Sequence, residues 1–346
     1  MKKLGNIIAA LVFTCAGVIF WSIGASALSY PDTIMVNGVN LEEHAAEYPK
    51  IQYESNGTNG TLTLDGVSLK RLSVQMGSGR KLNLILKGEN TIERDSSSPS
   101  SASIININTN EGELSITGEG SLILKDGNIV ATPTMAITNT GATAGKFIIK
   151  GGTITSETGS FSVTNNDFIL NSGNLSLSMI ILDTKGLTVE SGKMTINTAH
   201  LLNGASILIN GGDVTFDESA GNINGVGLSI VNNGNLTVNN GSVSIKGAVL
   251  AVGFSKEASL KLGDGMYIVE DGVELKETPK AETPLAKFDK TFLNASGEVA
   301  KTVTIKKIGD SEAENSKTSD HTIYYMVAIV VFAGILILKS RRTARI

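Results

Sequence analysis

Carboxylate and amide side chains are the residues in this 346-residue chain whose types and spacing suit chemistry. Asp213, Asp217 and Glu218 lie close together in the sequence, and oxygen ligands of this kind bind Ca²⁺. These three residues form a candidate calcium site, with a solvated acidic turn as the alternative. The Gly-Gly-x-Gly-x-Asp nonapeptide, which binds calcium in stacked turns, does not occur in the sequence.

A second group of polar residues recurs at one position of a repeated motif. Lys150, Asn171, Glu190, Asn210 and Asn239 each follow the second apolar residue of an apolar-x-apolar triplet. If equivalent strands stack, these side chains form a row with a spacing of about 4.8 Å, along which an extended polysaccharide could form repeated hydrogen bonds. We call these five residues the polar row. The alternative is that asparagine stands at corners because it tolerates left-handed backbone and bonds its own chain.

Catalytic groups are poorly represented. Glycoside hydrolysis needs two carboxyl groups about 5 to 9.5 Å apart. The repeat region offers Asp213 with Asp217, or Asp264 with Asp271, and we expect neither pair to share a strand. The histidines His44, His200 and His321 are too dispersed for a metal site or a triad. We therefore predict that the protein is not an enzyme.

The elements that position these residues belong to a repeat. Leu187, Val189, Gly192, Met194 and Ile196 show the full pattern of apolar-x-apolar, glycine, apolar-x-apolar. Alternating apolar residues predict strands with one buried face, and glycine permits the turn between two strands. Further copies centre on Gly120, Gly152, Gly173, Gly212, Gly241 and Gly265. We predict an all-β fold in which equivalent strands stack as a parallel β-helix, a solenoid, over residues 59–275.

A second apolar patch after each motif supplies the remaining wall of each coil. It occurs as Phe161-Ser-Val163, Ile180-Ile-Leu182 and Leu228-Ser-Ile230. An antiparallel sandwich of hairpins also fits alternation with glycine turns. The sandwich does not explain why the same phase returns every 20 residues or so, and the β-helix is therefore our preferred prediction.

Composition and charge narrow the classes of function. The chain has 38 glycines and 28 asparagines with only 18% charged residues, which disfavours long charged helices. Six basic residues lie at the extreme ends, and 23 basic residues oppose 33 acidic ones between them. Nucleic acid is therefore an unlikely class of partner, because binding phosphate requires clustered Lys and Arg.

The N-terminus reads as a secretory signal over residues 1–27. Lys2 and Lys3 precede an apolar stretch, and Ala25 and Ala27 supply the small-x-small pattern for cleavage after Ala27. An uncleaved anchor is the alternative. Cleavage removes Cys15, the only cysteine, so we expect no disulfide in the mature chain.

The C-terminus reads as a single transmembrane helix over residues 322–339, followed by a basic cytoplasmic tail at 340–346. Positive-inside orientation then places the body outside the cell. This ending resembles the sorting signals of Gram-positive surface proteins, which a sortase cleaves. Asn315, Lys317, Thr318 and Ser319 resemble the N-P-K-T-G-D motif, but serine replaces both its proline and its glycine. Membrane retention and attachment to the cell wall both remain open.

Three segments flank the predicted solenoid. Residues 28–58 have mixed patterning and are predicted to cap its first coil. Residues 276–308 are predicted to form closing strands, with a hairpin near Asn294. Residues 309–321 are a polar, charged stalk.

A family resemblance rests on the N-terminal half of the repeat region. Ile34-Met-Val36-Asn-Gly38-Val, Thr61-Leu-Thr-Leu-Asp65 and Leu84-Ile-Leu-Lys-Gly88-Glu-Asn90, followed by Leu-x-Ile-x-Gly coils, resemble the carbohydrate-binding-domain β-helix proteins of Firmicutes cell surfaces. The resemblance covers about residues 32 to 270. It implies a right-handed β-helix, similar in shape to pectate lyases, that is secreted or anchored and binds plant-type or acidic polysaccharide, sometimes with calcium.

The combined expectation is a non-catalytic, membrane-anchored protein of the cell surface that binds polysaccharide by hydrogen bonds. An adhesin or spacer that binds protein, or nothing, is the alternative. A polysaccharide lyase is a remote third, because a pectate lyase uses arginine as its base and no arginine lies between Arg94 and Arg341.

Overall fold

The computed structural model describes residues 32–94, 103–125, 134–220, 225–269, 274–277, 288–294 and 296–307. Within these ranges the chain is almost entirely β-strand, with 27 strands in one hydrogen-bonded network. One short α-helix, Leu41–His44, leads into a 3₁₀ turn at Ala45–Glu47. The prediction of an all-β fold is confirmed.

Most strands form three parallel ladders, which we number in the order in which the chain visits them. The strands of ladder one are Asn59–Asp65, Lys81–Lys87, Glu113–Gly118, the first parts of Gly145–Thr164 and Asn166–Asp183, Leu187–Val189, Ile207–Ile209, Asn235–Val238 and Ser259–Leu262. Each strand pairs in parallel with its equivalent in the next repeat, as the sequence pattern predicts. The antiparallel sandwich would have required hairpin pairs at these positions.

Ladders two and three are built in the same way from the later parts of each repeat. Ladder two contains Ser68–Leu69, Glu89–Glu93, Ser121–Lys125, the middle parts of the two long strands, the first part of Lys193–Leu202, Asp213–Glu218 and Ser242–Gly247. Ladder three contains Leu72–Gln75, Ile105–Asn108, Met135–Thr138, the last parts of the same three long strands, Val226–Ile230 and Leu250–Phe254.

Antiparallel strands cover several ends of the ladders. At the N-terminal end, Thr33–Val36 pairs with ladder three and carries Val39–Asn40, while Ile51–Ser55 pairs with ladder one. At the C-terminal end, Lys290–Leu293 pairs with ladder three and carries Glu274–Glu277, and Thr302–Lys307 pairs with ladder two and carries Met266–Val269. The predicted hairpin near Asn294 therefore joins two strands that pair with different ladders.

We use the word coil for one passage of the chain through ladders one, two and three, and the core is formed by the inward-facing residues of every coil. Leu187, Val189, Met194 and Ile196, which show the full repeat pattern, are at most 1% exposed. Equivalent residues stack from coil to coil, and the rings of Phe147 and Phe168 lie with centroids 4.6 Å apart. Burial of these apolar rows is the main stabilising contribution, because no coil could cover its own apolar face.

Glycine forms the corner between ladders one and two. Gly192 has φ +92°, and a Cβ there would lie 2.6 Å from the carbonyl oxygen of Gly173 in the preceding coil. Glycine meets both demands, since it adopts left-handed backbone and lets successive coils approach closely. In the coil that carries an inserted residue, Gly118 rather than Gly120 has the left-handed conformation, with φ +103°.

The three connections differ in length. At most three residues separate a strand of ladder one from the following strand of ladder two. Much longer segments, such as 94–104, 126–134 and 219–225, separate ladder two from ladder three. Variation in coil length therefore falls mainly at that second corner.

The corner between ladders three and one uses asparagine. Left-handed backbone occurs there at Asn110, Asn165, Asn203 and Asn232, with φ between 45° and 55°. This placement agrees with the tolerance of asparagine for left-handed conformations.

A buried carboxylate fixes the N-terminal strands to the first coils. Asp32 is 0% exposed and accepts hydrogen bonds from Tyr53 Oη at 2.7 Å and from the Gly77 N–H at 2.9 Å. Arg80 Nε lies 3.1 Å from the same carboxylate. Burial, followed by the hydrogen bond to Asp32, raises the pKa of Tyr53 to about 12.

Candidate functional site

The outer face of ladder one carries three rows of side chains across five successive strands. The leading row is Lys146, Asp167, Gly186, Ser206 and Asn235; the central row is Ile148, Ile169, Thr188, Leu208 and Thr237; the polar row completes the face. Alternation along each strand directs all three rows away from the core. Five strands spaced about 4.8 Å apart give this ladder-one face a length of roughly 19 Å.

The structure brings three members of the polar row into direct contact. Asn210 Nδ2 donates to both carboxylate oxygens of Glu190 at 3.2 Å, and Asn239 Nδ2 donates to Asn210 Oδ1 at 2.9 Å. Their backbone conformation is not left-handed, because the glycine that follows takes that role. These contacts hold one carboxylate and two amides in a continuous edge, and the carboxylate and carbonyl oxygens keep lone pairs that can accept from a ligand.

The other two members of the polar row depart from this regular spacing. Asn171 is an extra residue at a β-bulge, since Ile149 pairs with Leu170 whereas Lys150 pairs with Ser172. Lys150 extends toward the previous coil, where its Nζ lies 3.8 Å from Glu113 Oε1. The sequence prediction of one evenly spaced row therefore holds for Glu190, Asn210 and Asn239 and is wrong for these two.

The central row was not predicted from the sequence. Ile148, Ile169 and Leu208 occupy positions that face solvent, although alternation there would favour polar residues. Ile148 is only 9% exposed. Ile169 and Leu208 remain partly exposed, so the open part of the face begins at Ile169. The signal in the sequence is an apolar residue between two inward apolar residues, as in Ile207-Leu208-Ile209.

A cavity of about 360 Å³ opens on this part of the face. It lies where the leading row has Gly186, which contributes no side chain between Asp167 and Ser206. Ile169 and Leu208 supply its apolar surface. The remaining lining residues are Lys146, Phe168, Leu187 and Thr188. Cavities of this size and mixed character suit a small ligand group.

The residues proposed for calcium are not brought together. Asp217 and Glu218 are successive residues of the strand Asp213–Glu218 and face opposite sides of the sheet, with Glu218 only 1% exposed. Asp213 shares a strand with Asp217, contrary to our expectation, and lies roughly 13 Å along it, beyond the separation that glycoside hydrolysis uses. Among the described residues there is no group of three or more His, Cys, Asp or Glu side chains suited to a metal.

The electrostatics of Asp217 reflect local hydrogen bonds. The Ser219 hydroxyl and backbone N–H donate to Asp217 Oδ1, and Lys246 Nζ lies 3.7 Å from Oδ2. The hydroxyl hydrogen bond is the main cause of a lowered pKa for Asp217. These contacts make Asp217 part of a hydrogen-bonded acidic turn.

Several residues named from the sequence lie outside the described ranges. They are the cleavage residues Ala25 and Ala27, the sorting residues Asn315, Lys317, Thr318 and Ser319, and the apolar segment 322–339. Within the part of the chain that the structure does describe, no helix has the length and apolar character required to cross a membrane.

Comparison of the chain with protein-family models, with curated proteins and with solved structures finds no match in any of the three.

Proposed function

We propose that this protein binds carbohydrate without catalysis and that its ligand lies along the ladder-one face. The observation that carries the proposal is that the partly exposed apolar residues Ile169 and Leu208 of the central row lie between two polar rows. A sugar ring has apolar C–H surfaces and a polar rim of hydroxyls, so a chain of sugars matches a stripe of this kind.

The polar row supplies repeated hydrogen-bonding groups to such a ligand. Glu190 is an acceptor, whereas Asn210 and Asn239 carry both donors and acceptors. Their mutual hydrogen bonds fix the side chains before the ligand arrives, which reduces the entropic cost of binding. Calcium is not needed in this arrangement, and the proposal assigns no role to Asp213, Asp217 or Glu218.

The fold proposed for the described chain is a right-handed parallel β-helix. The support is that the chain visits ladders one, two and three in the same order in successive repeats, with parallel pairing throughout. Crossover connections between parallel strands are right-handed in nearly all proteins. This architecture agrees with the resemblance to carbohydrate-binding β-helix proteins of Firmicutes.

The proposed location is the outside of the cell. It rests on the secretory signal ending at Ala27 and on the apolar segment 322–339 with its basic tail. Membrane retention suffices for this location. Processing by a sortase between Thr318 and Ser319 is the further possibility that the resemblance of this segment suggests.

A glycan array probed with the purified full-length chain in mild detergent tests the function. We expect binding to one class of polysaccharide, and we expect Asn210→Ala to weaken it at least fivefold. Asn174→Ala is the matched control, because Asn174 is an exposed asparagine on the outer face of ladder two.

Three results would count against the proposal. Absence of binding to any glycan, with or without calcium, would favour the adhesin or spacer alternative. Equal weakening by both substitutions would place the ligand away from the ladder-one face. Release of cleaved or unsaturated products from a bound polysaccharide would contradict the non-catalytic assignment.

A further inference from the structure

The residues around the cavity beside Gly186 restrict the chemical class of the ligand more closely than the face as a whole does. A Cβ at residue 186 would lie 2.2 Å from the carbonyl oxygen of Ser206, so the packing of neighbouring coils requires glycine there. Core packing imposes no such requirement on Ile169 and Leu208, which face outward from the strands before and after that of Gly186, with Thr188 between them in the central row. The apolar side chains in the cavity wall are therefore not explained by packing of the core and belong to the surface that a ligand would contact.

Charges of opposite sign lie side by side at the rim of this cavity. Lys146 and Asp167 are paired neighbours on adjacent strands of the leading row, and both side chains are exposed. An amide group is complementary to such a pair, because its carbonyl oxygen accepts from the ammonium and its N–H donates to the carboxylate. The methyl group of an acetamide would then contact Ile169 and Leu208.

The surrounding charges disfavour an acidic ligand. Asp167 and Glu190 carry carboxylates on the two sides of the central row, and Lys150 is paired with Glu113. The carboxylate of a uronic acid would have to approach both acidic groups, and among the residues that line the cavity only Lys146 carries a positive charge to offset them. A neutral sugar with an amide substituent avoids this repulsion.

We propose that the cavity beside Gly186 binds the acetamido group of an N-acetylated amino sugar within a neutral polysaccharide. Asp167 accepts from the amide N–H, Lys146 donates to the amide carbonyl, and Ile169 with Leu208 packs on the methyl group. The inference rests on the proposed function, since it assigns a ligand class to the same face.

The test compares soluble tetrasaccharides by calorimetry with the full-length protein in mild detergent. The probes are the β-1,4-linked tetramers of N-acetylglucosamine, glucosamine and glucose, and a galacturonate tetramer. We expect the N-acetylated tetramer to bind at least tenfold more tightly than each of the others. Leu208→Thr should reduce this preference to less than threefold, since threonine already occupies the same row at Thr188 and Thr237 and should preserve the fold.

A matched control is Ile123→Thr, which changes an outward apolar residue on ladder two and should leave the preference intact. Asp167→Asn should also weaken binding of the N-acetylated tetramer, because it removes the charge that faces the amide N–H.

The outcomes separate the two proposals. Equal binding of the glucose and N-acetylated tetramers, with loss of both in Asn210→Ala, would overturn the acetamido inference and leave carbohydrate binding in place. Tightest binding of the glucosamine or galacturonate tetramer would also overturn the inference. Failure of all tetramers and of every polysaccharide on the glycan array would overturn both.

Discussion

Asn90 is the residue whose replacement should most clearly expose how successive coils are joined. Its side chain is 0% exposed and stands in the inward row of ladder two, directly before Leu122. Asn90 Oδ1 accepts from the Val67 N–H, and Nδ2 donates to the carbonyl oxygens of Lys87 and Ser121, each at 3.1 Å. One amide therefore joins three successive coils.

The expected cost follows from these three bonds. A buried hydrogen bond contributes about 1 kcal/mol net, and a buried group left without its partner costs about 1 to 3 kcal/mol. The Lys87 carbonyl oxygen also accepts a hydrogen bond from the Gly66 N–H. It therefore keeps one partner after the substitution and adds little to the destabilisation. We expect Asn90→Ala to lower the free energy of unfolding by about 3 to 4 kcal/mol, a large part of a typical domain's stability.

Urea unfolding followed by circular dichroism measures this change in the full-length chain. Because stacked repeats can unfold in parts, amide hydrogen exchange at Val67 provides a local readout, and its protection should fall. Asn90→Leu should be nearly as destabilising, since leucine fills the space without satisfying the backbone groups. The exposed Asn174→Ala should change the free energy by less than about 0.5 kcal/mol. A loss below about 1 kcal/mol in Asn90→Ala, or full recovery in Asn90→Leu, would refute the assignment.

Three further predictions test the corner, the N-terminal carboxylate and the aromatic stack. Gly192→Ala should cost about 3 kcal/mol, and Gly204→Ala about 1 kcal/mol, because both have positive φ but only Gly192 lies against the backbone of another coil; equal urea midpoints would contradict this. Absorbance titration should show Tyr53 ionising near pH 12. The unfolded tyrosine loses its proton first, so stability should fall as the pH rises from 10 toward 12, and this fall should become smaller without disappearing in Asp32→Asn, because burial is the larger cause of the raised pKa. Phe168→Ala should lower the free energy of unfolding by about 3 to 5 kcal/mol through the cavity that it leaves. A smaller decrease, measured by urea unfolding, would show that neighbouring rings close the cavity.

The sequence pattern predicts the inward rows and most corner glycines because both follow from local rules. Leu187 and Val189 are buried as alternation requires, and Gly192 has the left-handed backbone expected at a turn. The parallel pairing follows from the repeat, since each strand can cover its apolar face only against an equivalent strand.

The remaining features depend on contacts between coils, which alternation does not encode. Asn90 occupies an inward position where an apolar residue is expected, and its partners belong to two other coils. The bulge at Asn171 adds one residue without changing the apolar pattern on either side. Ile169 and Leu208 could have been recognised as apolar residues at outward positions, but the cavity between them depends on Gly186 in the intervening coil.

The uneven lengths of the three connections have a practical consequence for modifying the molecule. Segments such as 94–104 and 219–225 already vary in length between ladders two and three without changing the pairing of the strands that follow them. A foreign loop, an affinity tag or a fluorescent reporter grafted there should leave the registers of all three ladders intact, since longer loops add little entropic cost. The same graft between ladders one and two would interrupt the tight glycine corner.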